Sequence, residues 1–249
     1  MNNNTWVRAT DPHKKFPHVS PSLKQKEILM SVANNSMISC KCGSCSITVA
    51  NGEPLQHFLC GCEDCRQALQ WCHQRGGIKP DPIPDLYYLS ADIIDYSGKE
   101  YMEAFKLRES GKSTRLFCKN CYSLIAVDHP FYRGNVLLFF PKHCVTKMDL
   151  SLPPTAYIMM NDYSEDIGPL PTKDIPLFTS FKFRQERDRF SAIKGFNFIK
   201  ETENQAEGIT FISFLKNNVP ISVLNLPKGK DLLKISTPIT ADPHPGADK

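Results

Sequence analysis

Cys60-Gly61-Cys62-Glu63-Asp64-Cys65-Arg66 places three thiols within six residues, with a glycine between the first two. The preceding run, Leu55 to Leu59, is strand-like. The following run, Glu63 to Trp71, holds no helix breaker, so the triad sits where a strand ends and a helix begins. Two more cysteine groups flank it at a distance: Ser39-Cys40-Lys41-Cys42-Gly43-Ser44-Cys45 and Arg115-Leu116-Phe117-Cys118-Lys119-Asn120-Cys121. Only Cys72 and Cys144 stand apart from these clusters.

The first residues, Met1-Asn2-Asn3-Asn4-Thr5-Trp6, lack the apolar core of a secretory signal, so the expected compartment is the reducing cytoplasm. There, thiols two and three residues apart near turn glycines are expected to hold a soft ion, zinc first, at about 2.3 Å. Cys40, Cys42, Cys60, Cys62, Cys65, Cys118 and Cys121 make seven candidate ligands. A structural zinc is closed by four protein ligands, whereas a catalytic one keeps three and leaves a position for substrate. Seven therefore fits one centre of each kind. Joining the hooks Cys40/Cys42 and Cys118/Cys121 closes a long loop and suits the structural zinc. Cys60, Cys62 and Cys65 then form the second, open zinc site, where catalysis is expected.

Cys72 and Cys144 read as small buried hydrophobes. Cys45 has two readings. It repeats the triad's spacing and is a candidate eighth ligand closing the second site, but it also directly precedes the strand-like Ser46-Ile47-Thr48-Val49. Two closed structural zincs without catalysis are the bland alternative for the whole set.

The 249 residues, 41% hydrophobic and 22% charged, are enough for one sizeable core. The longest apolar run, Val136 to Phe140, is far short of the roughly 20 residues of a membrane span, so no membrane partner is expected. Residues 1–37 carry five basic and two acidic side chains, 38–178 fourteen and sixteen, and 179–249 eleven and eight. These local charges of +3, −2 and +3 form no concentrated basic stripe, which argues against nucleic acid as a partner.

Short β-type runs dominate the middle of the chain: Ile47 to Val49, Leu55 to Leu59, Tyr87 to Leu89, Tyr101 to Leu107, Leu124 to Val127 and Asn135 to Phe140. The fold class is mainly β with few short helices. Three parts are expected: residues 1–36 as a flexible extension with one short helix over Leu23 to Val32, residues 37–178 as the zinc-binding domain, and residues 179–249 as a partly structured extension with a loose tail. In the last part, Phe181 to Phe190 reads as a solvated charged segment in preference to an amphipathic helix, and Ile209 to Leu215 with Ile221 to Leu226 as a strand pair around Asn217-Asn218.

The three cysteine clusters, in this order and spacing, resemble those of the family of glutathione-dependent formaldehyde-activating enzyme and centromere protein V. The resemblance covers roughly residues 37 to 178, including Leu137 to Cys144 and a closing Asp174-Ile175-Pro176. It implies an Mss4-like fold of several coiled antiparallel β-sheets, a structural zinc on Cys40, Cys42, Cys118 and Cys121, and a second zinc on Cys60, Cys62 and Cys65. It also implies a carbon–sulfur lyase acting on the adduct of a small thiol, glutathione, with formaldehyde. The rival reading from the same family is a non-catalytic, zinc-stabilised interaction module whose extensions bind a protein partner. One departure is plain: the family usually has glycine after the last cysteine pair, whereas this chain has Tyr122, which implies a modified turn or a side chain placed near the site.

Several other residues are candidates with a blander alternative beside each. Arg66 and Arg75 are the nearest cations for an anionic thiol, or solvated surface charges. Glu63 and Asp64 are candidate general bases, or solvent-facing partners of Arg66. His57 is a proton relay or ligand, or a satisfied core histidine, and His73 and His143 are similar. His13 and His18 have no cysteine partners and receive no site.

Overall fold

The structure is a computed structural model that describes residues 37–169, 172, 174–193 and 208–229. The expected N-terminal extension with its short helix, His13, His18 and the loose tail lie outside the described residues.

Turn residues punctuate the chain into short strands: β1 (Met37–Ser39), β2 (Ser46–Val49), β3 (Gln56–Cys60), β4 (Asp85–Ser90), β5 (Asp92–Ser97), β6 (Met102–Lys106), β7 (Thr114–Cys118), β8 (Leu124–Asp128), β9 (Val136–Phe139), β10 (Val145–Thr146), β11 (Ala156–Ile158), β12 (Ile209–Thr210) and β13 (Ile221–Val223). Three short helices accompany them, α1 (Glu63–His73), α2 (Arg184–Ser191) and α3 (Phe211–Asn218). The protein is mainly β, as the sequence pattern predicts. One sheet runs β10-β1-β2-β5-β12 and the other β11-β3-β4-β9-β8-β7-β6-β13. Most neighbours are antiparallel, but both edge strands of the larger sheet, β11 on β3 and β13 on β6, are parallel to their partners.

Alternation along the strands of the larger sheet divides the interior in two. Tyr87, Leu89, Leu116, Cys118, Leu137 and Phe139 join the core shared with the smaller sheet, where Ile38, Ile47 and Ile93 lie. Leu86, Tyr88, Phe117, Val136 and Leu138 point the opposite way, into a second core with Leu69 and Trp71 of α1. Strand and helix arrive in the expected order around Cys60 to Cys65. The helix continues two residues beyond Trp71 before Gly76, at φ 102°, turns the chain.

Beyond residue 178 the chain keeps contributing to both cores. The strand pair expected around Asn217-Asn218 does not form. Phe211 to Asn218 are helical, β12 pairs with β5 of the smaller sheet, and β13 pairs with β6 of the larger. The physical reason is helical spacing: Phe211, Phe214 and Leu215 share one face and are all buried in the core between the sheets. Thr210 caps this helix, its hydroxyl accepting from the Ser213 amide. The segment 181–190 is also different from the solvated reading. Arg184–Ser191 is a helix whose single buried residue, Phe190, packs on Phe58, Phe178 and Phe181 while the charged face stays outside. The segment around Pro176 runs along β11, with the Tyr157 amide donating to the Pro176 carbonyl and the Phe178 amide to the Tyr157 carbonyl.

Candidate metal centres

Cys40, Cys42, Cys118 and Cys121 bring four sulfurs within 4.8 Å of one another. Two matched hairpins do this. In the turn between β1 and β2 the Cys40 amide donates to the Cys45 carbonyl at 3.0 Å; in the turn between β7 and β8 the Cys118 amide donates to the Ser123 carbonyl at 3.0 Å. The first turn belongs to the smaller sheet and the second to the larger, so the four thiols join the sheets at one point. Ser123 fastens the hairpins together, its hydroxyl accepting from the Lys41 amide at 2.9 Å and lying 3.2 Å from Cys121 Sγ. Contact with Cys118 and burial push the Cys121 thiol up to about 11. Four sulfurs held this close form a donor set that a cation would convert to thiolates.

The matching explains Cys45. It holds the same hairpin position as Ser123, closing the turn through its carbonyl while its amide donates to Cys40 Sγ at 3.3 Å. Its fully buried side chain packs in the core between the sheets and is in neither sulfur cluster. It therefore does not close the second site. Tyr122 takes the place where glycine would be expected by adopting the left-handed conformation itself, at φ 52°. Its ring stacks on Phe117 at 5.8 Å and meets the edge of Trp71 at 5.8 Å, so the turn is kept and the side chain packs on the second core.

Cys60, Cys62 and Cys65 form the second cluster, again within 4.8 Å. Cys60 ends β3, Cys62 caps α1 and Cys65 lies in its first turn. The positive end of the helix dipole favours negative charge on these sulfurs. Hydrogen bonds from the Cys60 and Cys65 thiols hold Cys62 well below the usual thiol range, while Cys60 and Cys65 themselves are raised. Gly61 lets the first two ligands pack closely on the segment after β11, since a Cβ there would lie 2.7 Å from Met160 Sδ and 3.1 Å from Tyr163 Cβ and would displace those side chains. Both clusters can hold a metal ion. Among the described residues no fourth cysteine, histidine or carboxylate completes the second one.

No protein-family model matches the chain, and no curated protein matches it.

The other candidates are placed as follows. Arg66 is neither solvated nor open to a ligand. It is 2% exposed, and its guanidinium donates to the carbonyls of Gly61 and Asp162, tying the triad's loop to the segment after β11. Arg75 lies over the Trp71 ring at 4.2 Å, at the far end of α1 from the triad. Glu63 and Asp64 do not balance Arg66. Glu63 Oε1 accepts from the Gly229 amide at 2.6 Å and from Gln67 Nε2 at 2.7 Å, and Asp64 Oδ1 accepts from Arg108 Nη1 at 2.7 Å.

His57 stacks on Tyr87 at 4.0 Å, with Nδ1 2.7 Å from the Leu152 carbonyl and Nε2 2.8 Å from Asp85 Oδ1, a satisfied core histidine. His73 bonds the Gly77 carbonyl at 2.9 Å. His143 is 1% exposed with neither ring nitrogen hydrogen-bonded among the described residues, and burial lowers it to about 4. Cys72 and Cys144 are buried, and burial raises both thiols.

Four residues near the triad carry no signal in the sequence because they come from distant segments, β4, β7 and the turn after β8. Tyr88 and Tyr132 are buried with hydroxyls 3.2 Å apart, and burial raises both; the triad's cysteines add to the rise at Tyr88, and Tyr88 followed by Cys65 and Cys60 at Tyr132. His129 Nδ1 accepts from the Phe131 amide at 3.0 Å, which fixes the proton on Nε2 of the neutral ring. Arg115 reaches the triad's helix from β7, its Nη2 donating to the Asp64 carbonyl at 3.4 Å.

Proposed function

We propose that this chain is a two-zinc protein of the formaldehyde-activating type, a carbon–sulfur lyase working on the adduct of a small thiol such as glutathione with a small aldehyde. Sulfur-only donor sets favour zinc among the common cellular divalent ions. In this reading Cys40, Cys42, Cys118 and Cys121 hold a structural zinc, and Cys60, Cys62 and Cys65 hold a working zinc. The single observation that carries the reading is the inequality of the two clusters, four sulfurs where two sheets meet and three at a helix N-terminus.

A zinc ion at the triad supplies Lewis acidity that favours the thiolate form of a small thiol. The chain's own residues do the rest. The three sulfurs, fixed by β3 and the first turn of α1, set the direction of approach, and no fourth ligand completes the set among the described residues. In the breakdown direction the carbon–sulfur bond of the hydroxymethyl thioether breaks, its electron pair returns to sulfur, and the hydroxyl proton leaves as the carbonyl forms. The Tyr88–Tyr132 hydroxyl pair and the Nε2–H of His129 are the neighbouring groups able to exchange that proton.

The test is NMR exchange between formaldehyde and its glutathione adduct, with and without metal-replete protein. Acceleration is expected for the unmodified chain and not for Cys62→Ser. Absence of acceleration across a panel of small thiols and aldehydes leaves the interaction-module reading in its place.

A further inference from the structure

Arg115 is 3% exposed, yet among the described residues it makes no ion pair. Among the described residues its guanidinium donates to two backbone carbonyls, Ser113 at 3.2 Å and Asp64 at 3.4 Å, both long for a charged donor. The carboxylate of Asp64 is already taken by Arg108. The flanking residues on the neighbouring strands, Phe105 and Val127, are apolar and buried in the second core. A buried cation without a counter-charge is costly, so a negative group is expected within its reach.

The strand's alternation says where that group lies. Leu116 and Cys118 face the core between the sheets, so Arg115 and Phe117 face the opposite side, toward α1. The carbonyl that Arg115 touches belongs to the residue immediately before the ligand Cys65. A divalent ion with three thiolates carries a net charge of −1, the complement of one guanidinium.

We infer that Arg115 is the built-in counter-cation of the three-thiol centre, a positioning residue that stabilises the triad in its metal-loaded, fully deprotonated form. This rests on the reading that Cys60, Cys62 and Cys65 hold a divalent ion. Of the other cations nearby, Arg66 is engaged by the Gly61 and Asp162 carbonyls, and Arg108 by Asp64. The same β7 strand thus serves both centres, supplying a ligand to one with Cys118 and a charge to the other with Arg115.

The experiment is competition of the zinc-loaded full chain against a chromophoric zinc chelator at fixed pH. It compares the unmodified protein with Arg115→Gln, Arg115→Lys and Cys62→Ser, the last identifying which release step belongs to the triad. Arg115→Gln is expected to weaken the triad's step about 10- to 100-fold and leave the four-thiol step unchanged, and Arg115→Lys to recover most of the loss. An unchanged triad step in Arg115→Gln overturns the inference. So does a lysine variant as weak as the glutamine one, or loss of both steps together, because either would mean that the side chain's shape supports the fold. If the unmodified chain binds a single ion and Cys62→Ser binds as many, the proposed function fails along with the inference. Two ions in the unmodified chain with no effect of Arg115→Gln fails the inference alone.

Discussion

Cys45 and Ser123 occupy equivalent places in two hairpins, each closing its turn by accepting at 3.0 Å from the amide of a ligand cysteine five residues earlier. The equivalence separates the thiols that hold an ion from the one that shapes the turn. Cys45→Ala is expected to keep the metal content unchanged, with a stability loss of about 1 kcal/mol from the small cavity. Metal analysis of the purified variant checks it, and loss of an ion would make Cys45 a ligand after all.

The two centres differ in what they join, so their removal should differ in kind. Cys118→Ser takes a ligand from the point where both sheets meet and is expected to abolish cooperative folding. Cys62→Ser touches only the first turn of α1 and should release one ion while the β-sheet circular dichroism and a single thermal transition persist. Equal behaviour of the two variants would mean that the division of roles is wrong.

His143 supplies a pH dependence. Its ring is neutral and buried in the folded protein, lowered to about 4, whereas an unfolded histidine titrates near 6.5. Between these values the unfolded chain binds the extra proton, so unfolding free energy falls as pH drops through that window and is unaffected above it. The loss approaches about 3 kcal/mol by pH 4. His143→Phe, measured in excess zinc beside the unmodified protein, should show a shallower fall between pH 6.5 and 4; parallel curves would remove His143 from the account.

Tyr122 combines a left-handed backbone with aromatic packing on Phe117 and Trp71. Tyr122→Ala loses the rings and keeps the strained φ, while Tyr122→Gly loses the rings and is free of the strain. The glycine variant is expected to be more stable than the alanine one by about 1 kcal/mol in denaturant unfolding. The reverse order would show that the turn relaxes on substitution.

Local signals account for what the sequence could tell. The clusters at 40–45, 60–65 and 118–121 are short in sequence, so spacing alone exposes their sulfur ligands, and β-branched and aromatic runs between turn residues expose most strands. The grouping of ligands 76 positions apart, Cys42 with Cys118, follows only from counting ligands, and the structure brings these two sulfurs to 3.8 Å. Arg115, His129 and Tyr132 were not legible as neighbours of the triad, because strand order in the larger sheet, not distance along the chain, brings them there. Phe211 to Leu215 misleads for the opposite reason. Its run of apolar and β-branched residues suits a strand, but burial of one helical face in the core outweighs that propensity. Arg66 reads as a surface charge until the carbonyls of Gly61 and Asp162 are seen to enclose it.

The central claim is that two unequal sulfur centres organise this protein. Metal content per chain, measured on protein purified without added chelator, addresses it directly: two zinc ions, falling to one in Cys62→Ser, are expected. A chain that carries no ion, or whose ten cysteines are recovered as disulfides, would refute it.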